Sequence, residues 1–191
     1  FDFQPHFRIE KSDFLMTESK SIREYLSTEK VTSFTSILER KAIIATKKCE
    51  TVVMVRSVEN SLQQVMKFDE NWSGGRFDLS EKDGMPGIVL GWRLADELGV
   101  SPGLDTIVTI VSPLDMKTGT GIPPSRKFVL RGIFQSPMFD FDRNFVYISL
   151  DAGQRLFRKE GKHLDTTLLS EAMSHAWACN MFIYAHYTYS L

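Results

Sequence analysis

The residues in this sequence best suited to chemistry are a carboxylate run, a glycine-flanked loop, four histidines and two cysteines. Asp140-Phe-Asp142-Arg-Asn144 has the alternating oxygen ligands that open a calcium loop. Such a loop needs glycine at its sixth position for a sharp turn and a bidentate glutamate at its twelfth. Phe145 and Asp151 stand at those positions, so the segment predicts a polar turn entering a strand. Gly119-Thr-Gly121 follows a strand-like run, as a phosphate-cradling loop would. Pro123 and Pro124 remove the backbone donors that a phosphate needs, and no Gly-Lys-Ser follows. His6, His163, His175 and His186 show no His-Glu-x-x-His or Cys-His spacing, so no metal set is expected. Cys49 and Cys179 fit neither a zinc signature nor a CxxC redox pair, and they can join only if the fold brings them together. No Gly-x-Ser-x-Gly elbow or nucleophile–base pair is present. Asn71-Trp-Ser73 is a formal glycosylation sequon, a triplet that chance often supplies. The expectation is a chain with no catalytic residue, no metal and no cofactor.

The elements that would position these residues belong to a chain of 191 residues, enough for one or two domains and a sizeable core without disulfides. Charged residues are 25% and apolar residues 42%, which excludes a disordered tail. Lys+Arg is 23 against Asp+Glu 24, a balance that argues against nucleic acid as partner. No signal peptide opens the chain, and no run of ~18 apolar residues predicts a membrane helix. The start at Phe1 rather than Met reads as a fragment.

Phe7 and Ile9 alternate with polar residues and predict a strand over 5–10. Ile22, Tyr25 and Leu26 recur at helical spacing and predict a helix over 18–27. Residues 31–45 read as one or two strands, hairpinned through Lys47-Lys48 to a strand over 51–58. A helical turn is expected over 61–68, and 69–86 reads mostly as loop. Residues 87–91 read as a strand. A helix over 91–98 follows, with Leu94, Ala95 and Leu98 inward and Gly99 as its stop. Strands are predicted over 106–111, 127–134 and 144–149. A helix capped by Asp151 carries Ala152, Leu156 and Phe157; a further helix spans 165–177, and a closing strand lies within 181–189.

Pro113–Arg126 is then a projecting loop of fourteen residues. Hairpin connections are usually ~2–5 residues, and long ordered loops often carry function. Most of the 14 Phe and 8 Met are expected in the core. Leu114, Met116 and Ile122 in the loop, and Met138, Phe139 and Phe141 between strands, are instead candidates for contact surface.

Two stretches carry a resemblance. One is Gly87-Ile-Val-Leu-Gly-Trp-Arg-Leu-Ala-Asp-Glu-Leu-Gly-Val-Ser-Pro-Gly103 with Asp105-Thr-Ile-Val-Thr-Ile-Val-Ser-Pro113. The other is Phe128-Val-Leu-Arg-Gly-Ile-Phe134 with Phe145-Val-Tyr-Ile-Ser-Leu-Asp-Ala-Gly-Gln154. Together they resemble the periplasmic core domain of the MacB/FtsX/LolC-LolE class of ABC transporter permeases. The resemblance covers about 87–157, is weaker over 1–60, and departs from the usual Gly-Asp pair by inserting Leu104. Pro123-Pro-Ser-Arg-Lys-Phe128, after its extension, is similar to the hairpin of the lipoprotein-releasing permeases LolC and LolE.

The resemblance implies an α+β, two-lobed fold. An α/β porter-like lobe would form from 1–68 and 150–191, and a β-rich sabre-like lobe from 69–149 with the loop 113–126. It implies a domain in the periplasm, between transmembrane helices of an inner-membrane permease. Its implied partners are an ATP-binding cassette subunit, a second permease subunit, a periplasmic lipoprotein carrier and the lipoprotein cargo. The loop would be a hook for the carrier, through Leu114, Met116, Lys117, Ile122, Pro123, Pro124 and Arg126. A MacB-like efflux or FtsX-like signalling permease is the alternative within the class. A secreted enzyme with a metal or carboxylate site is the alternative outside it.

Overall fold

The computed structural model describes residues 7–9, 31–65, 72–102, 106–113, 121–157 and 181–187. The expected helices over 18–27 and 165–177, the turn at Leu104 and Cys179 lie outside these residues. The strand expected near the start is β1 (Phe7–Ile9). The β-branched run that follows is one strand of 15 residues, β2 (Val31–Ala45). It turns through Thr46, whose hydroxyl accepts the Lys48 and Cys49 amides at 3.2 and 3.1 Å, into β3 (Glu50–Val58). The helical turn is α1 (Leu62–Val65).

The stretch expected to be mostly loop holds two short strands, β4 (Trp72–Gly75) and β5 (Glu81–Lys82). Asp83 and Gly84 both have positive φ, 52° and 76°, and form a two-residue hairpin turn from β5 into β6 (Met85–Gly91). Next is α2 (Trp92–Leu98), which buries Leu94, Ala95 and Leu98 as the spacing predicted and ends at Gly99 with φ 63°. Strands β7 (Ile107–Val111) and β8 (Ser125–Phe134) pair antiparallel.

The segment expected as a polar turn is instead a helix, α3 (Phe139–Asn144). It precedes β9 (Phe145–Ser149). In α4 (Leu150–Leu156) the cap is Ser149, not Asp151: the Ser149 hydroxyl accepts the Ala152 amide at 3.3 Å, while Asp151 pairs with Arg155 one turn on. The last described strand is β10 (Met181–Tyr187).

The sheet order is β1-β10-β2-β3-β9-β6-β8-β4, with β7 bonded to both β2 and β8. That last bond closes a ring: β2, β3, β9, β6, β8 and β7 each pair with the next, and β7 returns to β2. The long β2 divides its outer edge, giving Val31–Leu38 to β10 and Ile43–Ala45 to β7. Strands from 31–58 and from 85–149 thus share one ring, and β1 and β10 form a strip beside it. The fold is α+β, as expected, and rich in strand.

Side chains alternate across the ring wall. Val53, Val55, Ile88, Leu90, Phe128, Leu130, Val146 and Ile148 fill the inside. Ile37, Val58, Val89 and Tyr147 belong to an outer cluster with Phe134 and Phe141. Because β6 and β9 run antiparallel, the helices that follow them, α2 and α4, cap opposite ends. Leu94 and Leu98 from one, and Ala152, Leu156 and Phe157 beyond the other, complete the inner cluster. Gly153 is required where α4 crosses β3, since a Cβ there would strike the buried Ser57 side chain.

Candidate partner-binding loop

The connection from Pro113 to Pro124 joins β7 to β8, which pair antiparallel as the sequence predicted. Its stem is a regular ladder, Ile107 opposite Val129 through Val111 opposite Ser125. The Ser112 amide extends the ladder by donating to the Pro124 carbonyl at 2.8 Å. Strand β8 begins at Ser125, so Arg126 belongs to the sheet and not to the loop. Its Nη2 donates to Glu81 Oε2 at 2.9 Å, which ties the stem to β5. In this structure the acid that Arg126 holds is Glu81 of the same chain.

Of the other expected contact residues, Ile122 is 73% exposed, while Pro123 and Pro124 are half-buried beneath it. Gly121, with φ 65°, turns the chain into this Pro-Pro base. Leu114, Met116 and Lys117 lie outside the described residues. Because β8 runs parallel to β6, its start lies at the α4 end of the ring. A hollow of about 530 Å³ separates the loop base from that helix, lined by Ile122, Pro123, Pro124, Arg126, Arg155 and Leu156. The surface is mixed: an exposed isoleucine on a stiff base, flanked by two arginines paired to Glu81 and Asp151.

The remaining candidates resolve into structural roles. Met138 and Phe139 are exposed, at 38% and 55%, as expected of contact surface. Phe141 is not: it is buried, stacked on Phe145 at 4.5 Å and edge-on to Phe134 at 5.9 Å. Asp142 is fully buried, and both its oxygens accept the Ser136 amide, at 2.9 and 3.0 Å. Burial pushes its carboxyl above the ordinary range, against the opposing pull of Ser136. This carboxylate is taken up by the protein's own groups, the Ser136 amide first, with Trp92 and the Arg93 charge also drawing on it. Among the described residues no group of three His, Cys, Asp or Glu could hold a metal. Among the described residues Cys49 has no disulfide partner, and Cys179 lies outside them. At the β5–β6 hairpin, burial raises Asp78, but Ser80 and Lys82 outweigh it and hold the carboxyl at about 2.

One charged cluster was not anticipated from the sequence. Arg56 on β3 is buried on the outer face of the ring, with Nε 3.1 Å from Glu39 and Nη1 3.3 Å from the Tyr147 hydroxyl. Its guanidinium lies 4.0 Å from the Phe145 ring centre and 5.1 Å from that of Phe141. Glu39 and Arg56 are cross-strand partners, so the hairpin register alone would reveal them.

No protein-family model matches the chain. Over 140 residues, 73% of its length, the chain is 27% identical to the lipoprotein-releasing system transmembrane protein LolC of two strains of Xylella fastidiosa. The match covers 33% of those proteins, so the chain spans about a third of the length of the curated relatives it matches. Among solved structures it is similar to the extracellular domain of the noncanonical ABC-type transporter YknZ from Gram-positive bacteria. That likeness has TM-score 0.53 and 11% identity over 92% of this chain and 98% of the other. The periplasmic region of MacB from Actinobacillus actinomycetemcomitans gives TM-score 0.52 and 12% identity over 93% and 86%. A domain of a permease protein from Porphyromonas gingivalis gives 0.54 and 9% over 96% and 65%. At these identities the structural likeness is one of fold. Both comparisons agree with the resemblance read from residues 87–157, to the periplasmic core domains of the MacB/FtsX/LolC-LolE class of ABC permeases. Among the described residues, no helix is long and apolar enough to cross a membrane.

Proposed function

We propose that this chain is the periplasmic domain of an inner-membrane ABC transporter permease that releases lipoproteins, and that the β7–β8 loop recruits a periplasmic carrier. The observation that carries this reading is the loop itself: a thirteen-residue connection, Ser112 to Pro124, on a closed ladder with Ile122 exposed at its base. The partial likeness to LolC supports it. The domain is non-catalytic in this reading. A cytoplasmic ATP-binding cassette subunit hydrolyses ATP, and a second permease subunit completes the membrane part. Nucleotide-dependent contacts shift the permease between two arrangements, and the domain passes that shift to the carrier and the lipoprotein cargo.

A loop can recruit a partner by adding backbone to a sheet edge or by inserting apolar side chains into a groove. Pro123 and Pro124 restrict the free loop, so less entropy is lost on docking. Leu114, Met116 and Ile122 supply apolar contact, Lys117 reads acidic groups, and Arg126 does so after exchanging its bond to Glu81. The two-lobed division is part of the same proposal, with a porter-like lobe from 1–68 and 150–191 and a sabre-like lobe from 69–149. The strip formed by β1, β10 and the first half of β2 favours it by joining both chain ends, and in this division the two lobes share the closed ring, which takes strands from both. The test replaces residues 113–124 with an Asn-Gly turn and measures binding to the lipoprotein carrier of the same organism. Lost binding with an unchanged Tm is the expected result. Unchanged affinity in the folded variant refutes the hook and leaves a MacB-like efflux role, which the fold likeness to MacB favours next.

A further inference from the structure

Strand β8 carries a bulge beside β6. Ile88 faces Leu130 and Val89 faces Gly132, so Arg131 is left without a partner across the pair. A bulge re-aims the side chain it carries. That of Arg131 crosses Gly87 of β6, where a Cβ would lie 3.0 Å from the Arg131 Cγ. A Cβ at 87 would also strike the Asp78 carbonyl, and one at 132 the Arg76 carbonyl. The Arg131 carbonyl in turn accepts the Arg76 amide at 3.0 Å. Residues 76–78 are thus pressed onto β6 and β8 around the arginine.

A cleft of about 730 Å³ opens at this point. Met85, Pro102 and Val129 give it an apolar wall. Among the described residues the Arg131 side chain has no ion pair, and its Nε is buried without a hydrogen-bond partner. Of the acids lining the cleft, Asp78 is engaged: it accepts the Ser80 amide at 3.1 Å and pairs with Lys82 at 3.2 Å and Arg76 at 3.6 Å. Asp83 is exposed at the hairpin turn. Even with both acids counted, Arg76, Lys82 and Arg131 outnumber them by one, and the cleft keeps one positive charge in excess. A guanidinium partly withdrawn from water without a counter-ion costs free energy that a bound anion recovers.

We infer that this cleft binds a small organic acid, its single oxyanion on Arg131 and its apolar part against Met85 and Pro102. A guanidinium meets a carboxylate through two parallel hydrogen bonds, a geometry an ammonium does not offer. The volume falls within the range of small-ligand sites, roughly 300–1,000 Å³. One surplus charge matches a monoanion, and a second negative charge on the ligand would meet Asp83. Because the glycine contacts fix the walls beforehand, little has to be ordered on binding. The site involves no residue of the β7–β8 loop and does not rest on the lipoprotein-releasing reading.

The test titrates the chain with hexanoate, hexanamide and acetate, following the Arg131 Nε–H and Met85 methyl signals by NMR. Hexanoate should bind about tenfold tighter than either of the others. Arg131→Gln should abolish the preference for hexanoate over hexanamide, and Arg131→Lys should keep only part of it, both with unchanged Tm. Asp83→Asn, which leaves Arg131 in place, should tighten hexanoate. Equal binding of hexanoate and hexanamide, acetate as tight as hexanoate, or no shift up to about 10 mM each overturns the inference. So does an Arg131→Gln variant that still prefers hexanoate, or an Asp83→Asn variant that binds it more weakly. Phosphatidylglycerol vesicles that bind through Arg131 while hexanoate does not would give the cleft to a membrane surface and overturn it too.

Discussion

Replacing Gly91 with alanine should destabilise the protein although nothing in the local backbone forbids it. Gly91 has φ −70° and ψ 149°, values open to any residue. In open space the change would stabilise the fold by ~0.4–1 kcal/mol, because alanine restricts the unfolded chain. Here a Cβ would meet the carbonyl oxygen, carbonyl carbon and Cα of Asp142, all backbone atoms. Carbon contacts settle near 3.5–4.0 Å, so the β6–α2 corner and α3 must part by roughly an ångström or more. Overpacking of this kind costs ~1–3 kcal/mol, towards the upper end when no flexible side chain can yield. Offsetting the gain leaves a net loss of about 1–2 kcal/mol, which for a chain of this length lowers Tm by about 2–8 °C. Differential scanning calorimetry of the two proteins measures it. The fluorescence of Trp92, which sits on the corner, should change with it. A Tm that is unchanged or raised would refute the reasoning, since it would mean that α3 does not press on Gly91.

Leu98→Ala should cost ~2–5 kcal/mol by denaturant unfolding, because Leu98 is 2% exposed inside the ring's inner cluster; a loss under ~1 kcal/mol would place it at the surface. Asp78→Asn should lower stability above about pH 3.8 and leave it little changed near pH 2. Asp78 titrates near 2 in the folded protein against 3.8 in the free side chain. Its contribution is therefore complete above about 3.8 and lost as pH falls from there towards 2. With part of the group open to solvent, that contribution is about 1 kcal/mol after screening. Urea titrations at pH 2.5 and pH 6 should show a smaller difference in the variant than in the parent.

The best-read part of the sequence was residues 87–99, because each local signal there agrees with the next. The apolar strand is followed by Leu94, Ala95 and Leu98 at helical spacing, then by a glycine able to take φ 63°. The β5–β6 hairpin was legible in principle, since Asp83-Gly84 is a strong turn signal. Its first strand is only Glu81-Lys82, which offers no alternation to detect. Helix α3 escaped for a similar reason. Six residues show too few periods, and what makes Asp140-Phe-Asp142-Arg helical is Phe141 turning to Phe134 and Asp142 reaching back to Ser136. Arg126 read as a loop cation because the start of β8 depends on Val111 and Ile110 pairing across the gap. Ring closure had no local signal at all, as β2 meets β7 only after all of β3 to β6 has intervened.

That closure has a consequence for how the chain reaches its native state. The β2–β3 hairpin can form alone, but neither free edge finds its main partner nearby: Met54 waits for Phe145, and Ile43 waits for Val111. Contacts so distant in sequence carry the loop-closure cost before they return any stabilisation, and they slow folding. During synthesis the β3 edge must therefore stay unpaired until β9 has emerged at 149, and the Val31–Leu38 edge of β2 until β10 at 187, a template for mispairing with other nascent chains. Lys41 and Glu39, near the middle of β2, place charge on the face outside the ring throughout that wait. In the folded protein Glu39 is held by Arg56, its partner across the hairpin, whose guanidinium lies against Phe145 and the Tyr147 hydroxyl of β9.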